Sequence, residues 1–116
     1  MEPTLLTNLN NSHKIMVEET FGPVVAIQTV KSEDEAIKLA NDTPFGLGAT
    51  VLTKNKKKGL KIARKIESGM IGVNQGLASV SGTPWVGVKQ SGFGFIGSVE
   101  GIRQFTVPRK ISYRTK

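Results

Sequence analysis

The chain has 116 residues, no cysteine, one histidine and a formal charge of +7. That length suits one domain and is too short for two hydrophobic cores, and the absent thiols exclude a disulfide scaffold, a cysteine nucleophile or a thiolate metal site within these residues. No stretch approaches the roughly 20 apolar residues of a membrane-spanning helix, and polar residues from Thr7 to Lys14 stand where a signal peptide needs its apolar run, so a cytoplasmic protein with no membrane partner is expected.

In chain order, Val24 to Val30 is a β-branched run closed by Lys31 and Ser32, which reads as a strand buried on both faces or nearly so. A helix is predicted next. Ser32 and Glu35 have capping-box spacing, and Glu33 and Asp34 place negative charge at the positive end of the helix dipole. At 100° per residue Ala36, Ile37, Leu39 and Ala40 share an apolar arc, and Thr43 and Pro44 end the element. Leu47 to Thr53 is a second strand, and Asn55 can cap a second helix that runs to about Gly69. Met70 to Asn74 is a third strand. Strands alternating with amphipathic helices imply parallel pairing through right-handed crossovers.

The texture then changes. Nine of the 13 glycines lie from Gly69 to Gly101, and a long irregular loop is expected from Gln75 to about Ser98, carrying the only tryptophan, Trp85. Loops of more than about 15 residues without secondary structure are usually functional or disordered. A short helix around Val99 to Arg103 and an extended tail from Phe105 to Tyr113 follow, and Pro108 confines the tail to an edge or a connection. The expected fold class is therefore α/β, a partial doubly wound sheet of about three parallel strands with two crossover helices.

The charge is local. Lys54, Lys56, Lys57, Lys58, Lys61, Arg64 and Lys65 lie in one segment without an acid, and the remaining basic and acidic residues balance. That face of the second helix could follow a phosphate backbone, or serve an anion-binding module. It lacks the aromatic residues that support single-strand binding, so a solvated helix face is the simpler reading and nucleic acid is not the expected partner.

Three further features have a bland reading beside a chemical one. Gly92 to Gly97 fits the dinucleotide pattern GxGxxG, but neither a preceding buried strand nor a following acid supplies its context. The run from Glu18 to Val24 (EETFGPV) could offer a carboxylate to a polyol and a ring face to a flat ligand; a surface acidic turn entering a strand explains the same residues. His13 has no second ligand at suitable spacing, so no metal site and no catalytic triad is expected.

Taken together and in order, four blocks resemble the C-terminal part of the NAD(P)-dependent aldehyde dehydrogenase superfamily, with a semialdehyde dehydrogenase among the candidates. They are Pro3-Thr4 with Glu18 to Val24, Ala40 to Leu47 (ANDTPFGL), Gly69 to Asn74 (GMIGVN), and Pro84 to Gly94 (PWVGVKQSGFG). The resemblance implies that Glu19 binds the nicotinamide ribose hydroxyls, that the Phe21 ring packs beside that ribose, and that Trp85 lies near the substrate tunnel, whose wall the loop from Gln75 to Thr83 helps to form. It also divides the chain into a catalytic-domain portion, residues 1–104, and an oligomerisation tail, residues 105–116, which adds a strand to another subunit. Two departures from the pattern are visible. Val86-Gly87 replaces a common Gly-Gly, and Phe95-Ile96 stands where a polar pair is usual.

A family subunit is several times longer. In its reaction a thiolate attacks the aldehyde, hydride passes to NAD(P), and water activated by a glutamate hydrolyses the thioester. The resemblance places both those residues upstream of this chain, with Met1 as an internal methionine. No catalytic residue is thus assigned here, and the chain alone is expected to be inactive and to hold neither NAD nor NADP tightly. Its partner is expected to be itself or a separately encoded N-terminal part; the competing class is a stand-alone oligomerising or anion-binding module.

Overall fold

A computed structural model describes residues 1–115. In chain order the elements are β1 (Thr4–Leu6), α1 (Lys14–Val17), β2 (Val24–Ala26), α2 (Glu33–Asn41), β3 (Phe45–Gly46) and β4 (Gly48–Val51), followed by α3 (Lys56–Ala63), β5 (Met70–Val73), β6 (Trp85–Val86), β7 (Val88–Lys89), β8 (Phe95–Ile96) and α4 (Val99–Arg103). The class is α/β, as expected.

The strands form four two-stranded sheets: β1 with β2 and β4 with β5 in parallel, β3 with β7 and β6 with β8 antiparallel. Two separate parallel pairs therefore stand where one sheet of about three strands was expected. The strand from Val24 is also shorter and barer than its composition suggests. Only Val24–Ala26 pairs, and from Val24 to Val30 half-buried and exposed residues alternate, leaving Val25 and Ile27 uncovered. A β-branched run needs a layer on each face to be buried, and here nothing among the described residues covers the second face.

Local capping sets both main helices. The Glu35 backbone N–H donates to Ser32 Oγ at 3.1 Å, while the Glu35 carboxylate accepts from the Lys31 N–H at 2.7 Å, one residue earlier than in the standard capping box. Asn55 Oδ1 accepts from the Lys58 N–H at 3.0 Å and starts α3. That helix stops at Ala63 rather than near Gly69. Lys65 and Ile66 donate to Ile62 and Ala63, a tightened last turn. Asn41 at the end of α2 then takes over the next backbone groups, donating to the Lys65 carbonyl and accepting from the Glu67 N–H, both at 2.9 Å.

β4, α3 and β5 pack together as one unit. Asn74 closes it from a left-handed conformation (φ 56°): its side chain accepts from the Thr53 N–H and donates to the Thr53 carbonyl, each at 2.8 Å. The segment expected to be irregular contains β6, β7 and β8. Two-residue strands carry no readable periodicity, and their partners lie far away or across a glycine turn. Residues 105–113 form no strand among the described residues, because an extended segment needs a neighbour to donate to and accept from. Phe105, Val107, Ile111 and Tyr113 are all exposed.

The hydrophobic core is slight. Among the described residues Ile37 is the one buried apolar side chain. The accessible surface is 9696 Å² for 12.5 kDa, against about 6,200 Å² for a compact monomer of that mass. The radius of gyration is 19.4 Å, where a globule of this length has about 13 Å. Among the described residues no helix is long and apolar enough to cross a membrane.

Candidate functional site

Glu19 and Phe21 lie on the link between α1 and β2. The chain is held there by the Thr4 N–H donating to the Pro23 carbonyl and the Val24 N–H donating to Gly22, both at 2.8 Å. Phe21 is 92% exposed, its ring free on both faces. Glu18 pairs with Lys14 at 3.9 Å; Glu19 makes neither an ion pair nor a hydrogen bond among the described residues, and borders a cleft of about 360 Å³ with Phe45, Gly46, Ser68 and Ser91. The Ser68 hydroxyl in that cleft is buried without a hydrogen-bond partner. Glu19 and Ser68 thus both line this cleft, the first as an unpaired acceptor and the second with its hydroxyl turned out of solvent.

Trp85 opens β6, and Trp85 pairs with Ile96. A second cleft, about 210 Å³, is lined by Met70, Ile71, Leu77, Val80, Thr83 and Pro84, and Trp85 is not among its lining residues. Of the three residues singled out from the sequence, Glu19 borders the first cleft; Phe21 and Trp85 do not.

Lys89 is one of the residues that tie the Trp85 loop to the rest of the chain. It has a left-handed backbone (φ 56°), which costs a non-glycine residue on the order of 1 kcal/mol or more. Its ammonium donates to the Asn41 carbonyl at 2.8 Å and the Thr43 carbonyl at 3.2 Å, and pairs with Glu67 at 3.0 Å. The carbonyls belong to the C-terminal end of α2, where the helix dipole favours a cation. Nearby, the Gly46 N–H donates to Ser91 Oγ at 3.0 Å and the Gln90 N–H to the Pro44 carbonyl at 2.9 Å. Gly69 permits the close approach, since a methyl group there would fall on the Val86 carbonyl.

The GxGxxG match, Gly92 to Gly97, contains β8 and precedes α4. Gly94 sits at φ 77°, and the Gln104 side chain packs against it. The Gln104 amide donates to the Phe95 and Gly101 carbonyls. In α4, the Glu100 carboxyl is held below its ordinary range chiefly by its own backbone N–H, with the Ser98 hydroxyl and Arg103 acting in the same direction and desolvation opposing them. On the basic face, Lys58 reaches Glu33 at 3.0 Å and Lys65 reaches Asp34 at 3.5 Å, so two of the seven cations serve to join α3 to α2. Among the described residues no cluster of three potential metal ligands occurs.

Sequence reasoning gave no role to Lys89, Ser68, Asn41 or Asn74. The available signal was weak: an asparagine at the end of a predicted strand or helix is a candidate for left-handed backbone or for capping, whereas nothing local marks a lysine for it.

A family model described as "Aldehyde dehydrogenase family" matches residues 1–111. Succinate-semialdehyde dehydrogenase of Paenarthrobacter nicotinovorans is 41% identical over 110 residues, covering 95% of this chain and 24% of that protein. Among solved structures, betaine aldehyde dehydrogenase from Staphylococcus aureus in complex with NAD+ superposes with a TM-score of 0.87 at 35% identity, covering 99% of this chain and 25% of that one. Succinic semialdehyde dehydrogenase from Streptococcus pyogenes in complex with NADP+ gives 0.85 at 40% identity, over 90% and 23%. The chain thus spans about a quarter of the length of the proteins it matches.

Proposed function

This chain belongs to the aldehyde dehydrogenase family, and on that premise we propose that it is the C-terminal portion of an NAD(P)-dependent enzyme that oxidises an aldehyde to a carboxylic acid. The observation that carries the reading is the match over nearly the whole chain to about a quarter of each relative. The surplus of about 3,500 Å² of total accessible surface over a compact monomer supports it, as do exposed apolar side chains such as Phe21, Phe93, Ile102 and Phe105, of a kind normally covered by further protein. A semialdehyde is one candidate substrate; betaine aldehyde and aminoaldehyde dehydrogenases match the chain to a similar degree as succinate-semialdehyde dehydrogenases do.

In this reading the free Glu19 carboxylate accepts hydrogen bonds from the ribose hydroxyls of the cofactor, and the exposed Phe21 ring offers its face beside that ribose. The cofactor, when bound, supplies the hydride acceptor. Trp85 and the 75–83 stretch form part of the aldehyde's pocket. Residues 1–104 belong to the catalytic domain and residues 105–116 to an oligomerisation tail, whose exposed Phe105, Val107, Ile111 and Tyr113 add as a strand to another subunit. The protein is cytoplasmic, and its partner is a second copy or a separately encoded part bearing the thiolate.

Covalent catalysis needs a nucleophile, and none of the 116 residues is a cysteine. Pure chain incubated with succinic semialdehyde and NAD or NADP should give no reduced cofactor above a heat-killed control. Mixing it with the N-terminal three-quarters of a semialdehyde dehydrogenase should restore turnover. Oxidation by the chain alone would overturn the reading, as would failure of the two parts to co-elute.

A further inference from the structure

We propose that Lys89 is the positioning residue for Trp85, holding the loop that presents the indole at a fixed place on the β4–β5 unit. The proposal rests on the reading of Trp85 as a wall of the aldehyde's pocket.

The β6–β8 pair is internal to the loop, because both strands lie between Trp85 and Ile96. It fixes the shape of the loop and not its location. Among the described residues, the hydrogen bonds and ion pairs that tie residues 84–96 to the body before it end on 41–46 or on Glu67. They are the β3–β7 pairing, the Gln90 and Ser91 bonds to Pro44 and Gly46, and the three contacts of the Lys89 ammonium.

Lys89 is the only one of these that reaches the end of α2 and the turn after α3 together. Its side chain is 24% exposed and its charge meets two carbonyls and a carboxylate, so solvent screens the contact only partly. Its positive φ turns the chain at this point, and a residue chosen for backbone ease alone would be glycine or asparagine. What lysine adds here is its ammonium. With the anchor four residues from Trp85, releasing it frees the register of β7 on β3 and lets the indole move outward.

Trp85 is the only tryptophan, so its fluorescence reports the loop alone. The full chain would be compared with Lys89→Met, Glu67→Gln and Lys65→Met by acrylamide quenching and far-UV circular dichroism. The indole is 36% exposed, so full release bounds the rise in the quenching constant at just under threefold; Lys89→Met should give about 1.5- to 2-fold, typical of local opening, with the dichroism unchanged. Glu67→Gln should give a smaller rise, and Lys65→Met, which removes an equal charge from an exposed pair, none. Quenching of Lys89→Met equal to the parent, or matched by Lys65→Met, overturns the proposal. Should Lys89→Met lose its dichroism, Glu67→Gln decides: a rise supports the coupling and no rise refutes it. The readout is the place of the indole and not turnover, so it stands or falls separately from the substrate role of Trp85.

Discussion

Replacing Gly69 by alanine tests the contact that seats the Trp85 loop against β5. The new methyl group would fall on the Val86 carbonyl oxygen, 2.7 Å from its carbon and 3.0 Å from Gly87 Cα. These are backbone atoms, so no rotamer change relieves the clash, and β6 must withdraw by on the order of 1 Å to restore ordinary contact. Overpacking of this kind costs about 1–3 kcal/mol. The Gly69 N–H also donates to the Gly46 carbonyl at 2.9 Å, and losing that bond adds about 1 kcal/mol. The expected total is about 2–4 kcal/mol, a large fraction of the stability of any small domain. Gly76→Ala is the matched control, since nothing lies within 4 Å of the added methyl; it should be neutral or slightly stabilising through the unfolded chain. Urea unfolding followed by Trp85 fluorescence and by circular dichroism would measure both. A midpoint for Gly69→Ala equal to that of Gly76→Ala would refute the close approach.

Three other outcomes are expected. Asn74→Ala should cost about 2–3 kcal/mol, two hydrogen bonds plus left-handed strain, and Asn74→Gly about 1 kcal/mol less because glycine accepts the positive φ; equal midpoints in urea would contradict this. Ser32→Ala should lower the stability of α2 by about 1 kcal/mol, read as faster amide exchange at Ala36 and Ile37. Glu100 is ionised more readily in the folded chain than in the unfolded one. Its contribution to α4 is therefore present at neutral pH and lost as pH falls through its lowered folded value, and Glu100→Gln should flatten that acid limb of the α4 amide shifts in a nuclear magnetic resonance titration.

Elements written locally were legible in the sequence. Ser32 with Glu35, and Asn55 with its amphipathic run, locate the starts of α2 and α3 because a cap and its partner lie three residues apart. The span Val99 to Arg103 for α4 was also readable, capped by Ser98. What was not legible depends on partners distant in sequence. Asn41 ends α3 by bonding 24 and 26 residues away, and β3 with β7 joins residues more than 40 apart. The two-strand character of the parallel pairs was hidden for the converse reason: a crossover pattern says that strands are parallel, not which are adjacent. For the candidate site, the four blocks located Glu19, Phe21 and Trp85 by resemblance; the unpaired Ser68 hydroxyl and the Lys89 anchor emerge only from packing.

The parallel β4–β5 pair is closed by α3 alone, and its hydrogen-bonded lid, Asn74 on Thr53, lies within the same stretch. Residues 48–74 therefore pair their strands and close their end among themselves, and draw on the N-terminal flank for their backbone groups only between Lys65 and Met70, where Asn41, Gly46 and Leu47 supply the partners. In folding terms the β4–β5 register spans 22 residues, about half the separation bridged by β3 with β7, so this unit can form before that seam does. It then offers the rest of the protein a preformed edge on which to assemble, so the order of assembly is written into one crossover of 27 residues.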